Sequence, residues 1–422
     1  MEEVQERERG GLLSTIGFII REALFTGSLR YYMAAIGLIL IALYGLYLWI
    51  MVQHAPIFIG SDIGGMITTA MNDSVPWGLY VSFFVFWVGV AAAGILFGIA
   101  AYVFGDKEYI KVAIFGEIQA VAAIIIVLLL IMVDIGRPIR ALILMPQLPN
   151  LRSMLDWDFI VLTTYLTLNL IAAIVTIHYY RQDKPLPRKF LVPFIIIAAP
   201  FAIGIHTVTA FIFQALTARP IWNSPLMAPR FVATAFASGP ALLLLALYIA
   251  ERYVEEFKVS FSVYKKTLYV IVGALIVGLY FTFSEIQEIY WYTTEAAKKA
   301  QAEELFFGLH IPYLATLLWL WIGFGIAAVI LGILPQVHNT KKGILTVSIF
   351  TVIAVVAEKT LTIVIPGYIP GTLGEIRPYY PTPLEIGITI GMHAIGLLVY
   401  LLLAKPALKA VVIHYFSGKG HH

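Results

Sequence analysis

Several ionisable or amide side chains stand inside stretches that are otherwise almost wholly apolar: Glu117, Gln119, Asp134, Asn169, His178, His206, Glu285, Glu288, Glu358, Lys359 and His393. A charge in hydrocarbon costs several kcal/mol unless it is paired, solvated or functional, so these residues are the first candidates for chemistry. Spacing along a helix, at about 1.5 Å per residue, sorts them by depth. Asp134, His206, Glu285, Glu288, Glu358, Lys359 and His393 fall within about 15 Å of one membrane surface, whereas Glu117, Gln119 and His178 fall toward the other and Asn169 lies mid-way. Carboxylates and imidazoles near a surface can accept protons from a ring diol and pass them to water, while neighbouring polar groups bind its two oxygens. A quinone head group has these needs, and the bilayer supplies it. His206 and Asp134 are the expected catalytic proton acceptors, and His206, Asp134, Arg137, Trp157 and Trp222 the expected quinone-binding set. Glu117, Asn169, His178 and Glu285 form the expected proton path. Between Gln119 and Asp134 the chain reads AVAAIIIVLLLIMV, so a relay has to cross on other helices or through water. Two other readings compete. Each polar group alone is equally served by a Ser, Thr or backbone carbonyl on a neighbouring helix, with Glu358 and Lys359 as a local ion pair. His206 and His393 lie at similar depth, as haem ligands do, but no span carries two His at a haem-spanning separation.

The elements that position these residues are membrane spans. Of 422 residues, 60% are hydrophobic and 13% charged, where soluble domains carry about 25% charged residues; the mean hydropathy is +0.88. Apolar runs bounded by charge, Pro or Gly predict ten spans, at 31–53, 77–103, 112–134, 158–180, 190–216, 231–251, 267–292, 312–334, 344–365 and 382–403, each long enough for a bilayer. An even number places both termini on one side. Of the Lys and Arg residues, 19 fall on that side, 8 fall in the opposite connections and Lys359 lies within a span. Cytoplasmic connections are enriched in such residues, so the termini are expected in the cytoplasm of a multi-pass cell-membrane protein. The opposite connections are longer and carry isolated arginines, which cap helix ends, anchor at headgroups or meet carboxylates, a ligand's oxygens or a docked subunit; Arg140, Arg152, Arg219 and Arg230 are expected to dock a partner, and Arg137 and Arg219 to orient carboxylates or dock that partner.

Residues 1–30 are expected to be a cytoplasmic N-terminal segment without a cleaved signal, in which apolar spacing from Leu12 to Phe25 suits a helix on the membrane surface and an irregular tail equally. Residues 31–403 form the membrane domain and 404–422 a cytoplasmic tail. Small residues such as Gly89, Ala93, Gly94 and Gly98 predict close helix packing, and Trp49, Trp77, Trp157, Trp222, Trp291 and Tyr379 an interfacial belt. The net charge of +3 gives no reason to expect nucleic acid. With no cysteine in the chain, a disulfide framework, a covalent c-type haem, a cysteine-ligated iron–sulfur cluster and a thiol nucleophile are all excluded.

The segments PWGLYVSFFVFWVGVAAAG, GEIQA, DIGRPIR, SMLDWDF and IHTVTAFIFQALTARPIWNSPLMAPRFVATAFASGP, in this order and at these depths, resemble the polysulfide reductase NrfD family of quinone-interacting membrane subunits. Within it the ten-span form is most similar to the DsrP-type subunits of sulfur-metabolism complexes, with the HybB-like hydrogenase subunits close. The resemblance implies an all-α integral membrane protein in which two four-helix bundles, 77–216 and 231–365, are flanked by one helix each. It implies non-covalent menaquinone, exchanging electrons with an exoplasmic ferredoxin-like iron–sulfur subunit. A multihaem cytochrome c, a membrane cytochrome b and cytoplasmic iron–sulfur subunits complete the expected complex. Family importance carries over to Glu117, Asp134, Arg137, Pro138, Asp156, Trp157, His206, Arg219, Trp222 and Arg230. A secondary transporter is the rival from another class; its helices are typically interrupted at mid-membrane around a substrate, whereas Pro and Gly here are denser in the outer connections.

Overall fold

The computed structural model describes residues 11–59, 69–71, 75–135, 138–147, 149–216, 219, 222–288, 299, 303, 305–309, 312–365 and 378–416, with the backbone alone for 54–59, 139, 140, 142, 144 and 145. Among the described residues ten helices are long and apolar enough to cross a membrane: Leu29–Gln53, Leu79–Val103, Ala113–Asp134, Met154–Arg181, Arg188–Gln214, Met227–Tyr253, Phe261–Gln287, Pro312–Ile333, Lys341–Val364 and Pro383–Tyr415. The chain is all-helical across the membrane, as a bilayer demands of any backbone that must satisfy its own hydrogen bonds. These helices are referred to below as the first to tenth spans. The face that holds residues 11 and 416 is the termini face, and its opposite is the far face.

The second to fifth spans close a ring, each touching the next and the fifth returning to the second; the sixth to ninth close another. The second span also lies against the sixth and ninth, which joins the two rings. Burial follows this arrangement: 72% of the second span's most apolar window and 78% of the third's are inside, against 28% for the first. The first span touches chiefly the tenth, which itself leans on the third and fourth. Two glycines allow that contact. A Cβ on Gly45 would come 2.5 Å from the Gly391 Cα, so only two bare backbones fit there. Helix starts are fixed by side chains: Ser153, Ser260 and Thr340 accept early backbone N–H groups, and Thr382 with Glu385 forms a capping box that opens the tenth span;.

The helix Leu12–Phe25 lies on the termini face against the fourth and tenth spans. Its buried residues include Thr15 and Glu22, while Leu12, Leu13, Ile16, Ile20, Leu24 and Phe25 are exposed. Polar groups face the protein and apolar groups face outward, the polarity of a helix lying in a membrane interface.

Two expectations are corrected, and one connection holds a helix that the apolar runs did not mark. The tenth span does not stop at 403: the helix continues to Tyr415, through Pro406, because Ala404, Ala407, Ala410 and Val411 pack inward and only the lysines signalled an end. The long connection after the third span contains a helix, Pro138–Gln147. Trp222 and Tyr379 are not interfacial anchors, since both are buried in the protein. Residues 1–10, Trp291 and the seventh-span end beyond Glu288 lie outside the described residues.

Candidate functional site

Near the far face the third span ends on Asp134, whose Oδ1 is buried without a hydrogen-bond partner. Around it stand Tyr80 of the second span and Glu385 of the tenth, close enough to act on it or on each other electrostatically. Glu385 is wholly buried and engaged: it accepts from the Tyr379 hydroxyl at 2.8 Å, the Thr382 amide at 2.7 Å and the Ala70 amide at 3.1 Å. The Tyr379 hydroxyl in turn accepts from the Leu79 amide at 2.8 Å. Burial, with the Glu385 carboxylate beside it, raises the Tyr379 phenol above its ordinary range, so it stays a donor;. Two turns deeper, Trp87 Nε1 donates to His393 Nε2 at 2.7 Å, and His393 Nδ1 lies 2.7 Å from the Thr389 carbonyl. An indole N–H only donates and a carbonyl only accepts, so this His393 is neutral with its proton on Nδ1. Both nitrogens are engaged, which leaves none for iron.

His206 is the contrary case. It is completely buried between the second, fifth and sixth spans, and neither ring nitrogen has a partner. Its ring centroid lies 5.2 Å from that of Phe231, and a Cβ on Gly89 would sit 3.3 Å from its Cε1. On Phe231 also rests Lys359, with Nζ 3.7 Å from the ring centroid;. Lys359 pairs with Glu358 at 3.0 Å and donates to Thr234 Oγ1 at 2.8 Å. Glu358 meets Arg230 Nε at 3.2 Å, and Arg230 also pairs with Glu285, which accepts from Ser224. Two cations and two carboxylates from the sixth, seventh and ninth spans thus cancel inside the second ring. Arg230, expected at a docking surface, faces inward with its side chain 11% exposed. Glu285, expected on a proton path, is held in the same quartet. The reason is tertiary: two carboxylates on neighbouring spans need a cation, and Arg230 is one within reach.

Trp222, expected to stack on a ring, donates from Nε1 to the Thr362 carbonyl at 2.7 Å and packs on Trp77 and Phe213. It holds the two rings of helices together at the far face. Trp157 is 39% exposed and donates to the Leu151 carbonyl at 2.9 Å. Asp156 accepts from the Asn150 amide and so shapes the same turn. Arg152 donates its amide to Asn150 Oδ1 at 3.1 Å, and Arg219 lies in the turn before Trp222, accepting the Trp222 amide on its carbonyl. Arg137 and the Arg140 side chain lie outside the described residues. On the other side, Glu117 receives the Tyr102 hydroxyl at 3.4 Å, and Asn169 donates to the Tyr165 carbonyl at 2.8 Å. His178 is drawn away from both: its Nδ1 lies 2.7 Å from Thr15 Oγ1 of the N-terminal helix.

Sequence reasoning passed over Asp158, Glu385, Tyr80 and Tyr379. Asp158 is buried and accepts from Thr209 Oγ1 at 2.7 Å. Its signal was present, since Asp158, Leu162, Tyr165, Asn169 and Ala172 share one buried helical stripe;. Glu385 stands at capping-box spacing from Thr382 and six positions from Tyr379, but the contacts that bring this pair to the second span, with the Ala70 and Leu79 amides, cross 315 and 300 positions;.

The ten-span helical frame, with Asp134 and His206 unpartnered in its far half, is that of an integral membrane protein, and comparison with known proteins gives its family. Residues 68–370 match the family described as polysulphide reductase, NrfD, and the chain belongs to that family. It is 30% identical to a putative dimethyl sulfoxide reductase membrane subunit of Halobacterium salinarum, over 79% of this chain and 83% of that protein. It is 24% identical to an Hdr-like menaquinol oxidoreductase integral membrane subunit of Archaeoglobus fulgidus, over 81% and 89%. A selenate reductase subunit of Mesobacillus selenatarsenatis is 24% identical over 43% and 50%. None of these three is named as a transporter.

Proposed function

We propose that this chain is the membrane subunit of a respiratory complex that exchanges electrons between menaquinol or menaquinone and an iron–sulfur partner docked on the far face, with the termini in the cytoplasm. The observation that carries the reading is the coincidence, within the far half, of two kinds of unpartnered buried polar atom. Asp134 offers an acceptor, and a neutral His206 offers one donor and one acceptor;. A buried polar atom without a partner is rare in a finished fold, and these two match the hydroxyl and carbonyl oxygens of a quinol–quinone pair. Menaquinol, when bound, would supply two electrons and two protons per ring. Asp134 and His206 take the protons, and Arg137 and Trp157 orient the ring. Trp222 supports the site from behind, since its N–H is already engaged.

With no cysteine to bind a cluster, the electrons leave on a partner. That partner is a ferredoxin-like subunit, with a multihaem cytochrome c beyond it, as in the DsrP-type complexes of sulfur metabolism that the ten-span form resembles. Further membrane cytochrome b and cytoplasmic iron–sulfur subunits belong to the same assembly. Arg140, Arg152 and Arg219 lie toward the docking side. A proton path through Glu117 and Asn169 accompanies the electron transfer. The HybB-like hydrogenase subunit has the same requirements and differs in its partner.

The test is oxidation of a short-chain menaquinol by the purified complex. Asp134→Asn and His206→Ala are each expected to lower turnover by about 10²-fold or more, the scale of a lost proton acceptor. If both variants turn over at the wild-type rate, or the complex binds no menaquinol analogue, the assignment fails.

A further inference from the structure

Glu117 is buried at the centre of the first ring, and its Oε2 has no hydrogen-bond partner. Beside it lies a cavity of about 10 Å³, bordered by Gly94, Gly98, Asn169, Ile195 and Ala198. That is the room one water needs, and Glu117 and Asn169 supply polar partners for it. The second span is irregular at this level. It breaks its regular helix at Gly94, where a Cβ would lie 2.5 Å from the Gly116 carbonyl, and continues as a π-turn over Ile99–Val103;. Tyr102, within that π-turn, sends its hydroxyl to Glu117 Oε1 at 3.4 Å.

From Tyr102 polar groups continue to the termini face. Thr176 and Tyr180 lie on the buried face of the fourth span toward its termini-face end, Thr176 Oγ1 without a partner and the Tyr180 hydroxyl donating to the Ile110 carbonyl at 3.1 Å. The Tyr180 and Tyr415 hydroxyls are 3.2 Å apart. The His414 ring stacks on Tyr180 at 4.9 Å between centroids, and its Nδ1 lies 2.8 Å from Asp183 Oδ1. Exposure falls inward along this series, with side chains 31% exposed at Asp183 and 12% at His414, to a fully buried Tyr180. Among the described residues Asp183 is also the one non-glycine with positive φ, +56°. Helices commonly end in such a residue, but it is usually Gly or Asn. Here an Asp takes that place and holds its carboxylate on His414.

We propose that Asp183 and His414 form the termini-face mouth of a proton-conducting series that runs through Tyr415, Tyr180 and Tyr102 to Glu117 and the water-sized cavity beside Asn169. It deepens the proton-linked part of the function proposed above and rests on that reading. Only O–H and N–H bonds change. A proton taken up at the Asp183–His414 pair enters the series, each hydroxyl releases its own proton onward as it accepts another, and Glu117 holds the last. No oxidant or reductant takes part. His178, the histidine expected from the sequence on this route, is engaged with the N-terminal helix instead.

The test is infrared spectroscopy of the purified full chain in lipid nanodiscs. The carboxylic C=O band lost in Glu117→Gln identifies the protonated group, and its shift on transfer to deuterium oxide times the arrival of solvent protons. Tyr102→Phe and Tyr180→Phe keep the ring packing and remove the hydroxyls. Each is expected to slow the exchange at least about tenfold, in line with loss of a positioned proton-transfer group, and His414→Ala is expected to slow it too. Equal rates in wild type and all three variants overturn the proposal. So does the absence of any band lost in Glu117→Gln, because Glu117 then holds no proton. The assay uses neither quinol nor partner. Unslowed exchange in variants of a complex that oxidises menaquinol overturns this series alone, whereas a complex inert toward menaquinol with hydroxyl-dependent exchange overturns the proposed function alone.

Discussion

His393 has both ring nitrogens engaged, whereas His206, equally deep in the far half, has neither. Removing the two rings should therefore have different consequences. His393→Ala strands the Trp87 N–H and is expected to cost about 1–3 kcal/mol of stability with little loss of turnover in the variant that folds. His206→Ala strands no hydrogen-bond partner, so its stability cost is that of the cavity alone, about 2–4 kcal/mol, while turnover is lost. Thermal melting and menaquinol oxidation on the same preparations check both. Arg230 sits between Glu285 and Glu358. Arg230→Met leaves two buried carboxylates facing one lysine, a loss of about 3–5 kcal/mol. Adding Glu285→Gln to that variant should return part of the loss, because the surplus charge is gone. A double variant no more stable than Arg230→Met would mean that the quartet is not electrostatically coupled. The sequence made these residues visible as a class, since charges in apolar runs are rare. It did not pair them, because Arg230 and Glu285 are 55 positions apart and lie on different helices.

Span limits were legible to within a few residues wherever an apolar run met Pro, Gly or charge. They failed where lysines sit on a helix that continues. The seventh span begins at Phe261 and includes Lys265 and Lys266, and the tenth runs past Lys405 and Lys409. Long lysine stems carry their charge to the headgroups and do not end a helix. Lys266 reaches Asp106 in the connection between the second and third spans and so links the two rings on the termini face. The hydrogen bond from Lys266 holds the Asp106 carboxyl below its ordinary range. A depressed carboxyl contributes stability that is complete above the unfolded value near 3.8 and is lost as pH falls through the folded value;. Lys266→Ala should therefore cost stability at neutral pH and nothing once Asp106 is protonated in both states. The Lys266 side chain is 53% exposed, so the neutral-pH loss is expected under about 1 kcal/mol, measurable by denaturant titration at the two pH values. The Gly45–Gly391 contact is the opposite kind of tie. Gly391→Leu forces the first span off the tenth and should lower the melting temperature, whereas Gly37→Leu, with open space around it, should not.

The whole molecule places its two polar sets on opposite sides of the membrane frame. Its orientation in a cell, inferred from 19 cationic residues against 8, has a direct test because the chain has no cysteine background. Lys342→Cys on the termini face should resist a membrane-impermeant maleimide in intact spheroplasts, and Leu151→Cys on the far face should react. The reverse labelling would invert the proposed topology and place the docked partner in the cytoplasm.

By itself the sequence determined the class of structure and its boundaries. Sixty percent hydrophobic residues in runs of bilayer length leave only helices, ten of them, and the absent cysteines exclude a cysteine-held cluster. Those properties are local sums along the chain, so composition and period reveal them. The tertiary structure decided which polar groups are satisfied and which are free. Asp134 and His206 stand unpartnered, while Glu285, His393 and Trp222 are engaged. Whether a buried group has a partner depends on which helix faces which, across separations of up to several hundred residues. Packing sets that relation, and no local pattern records it.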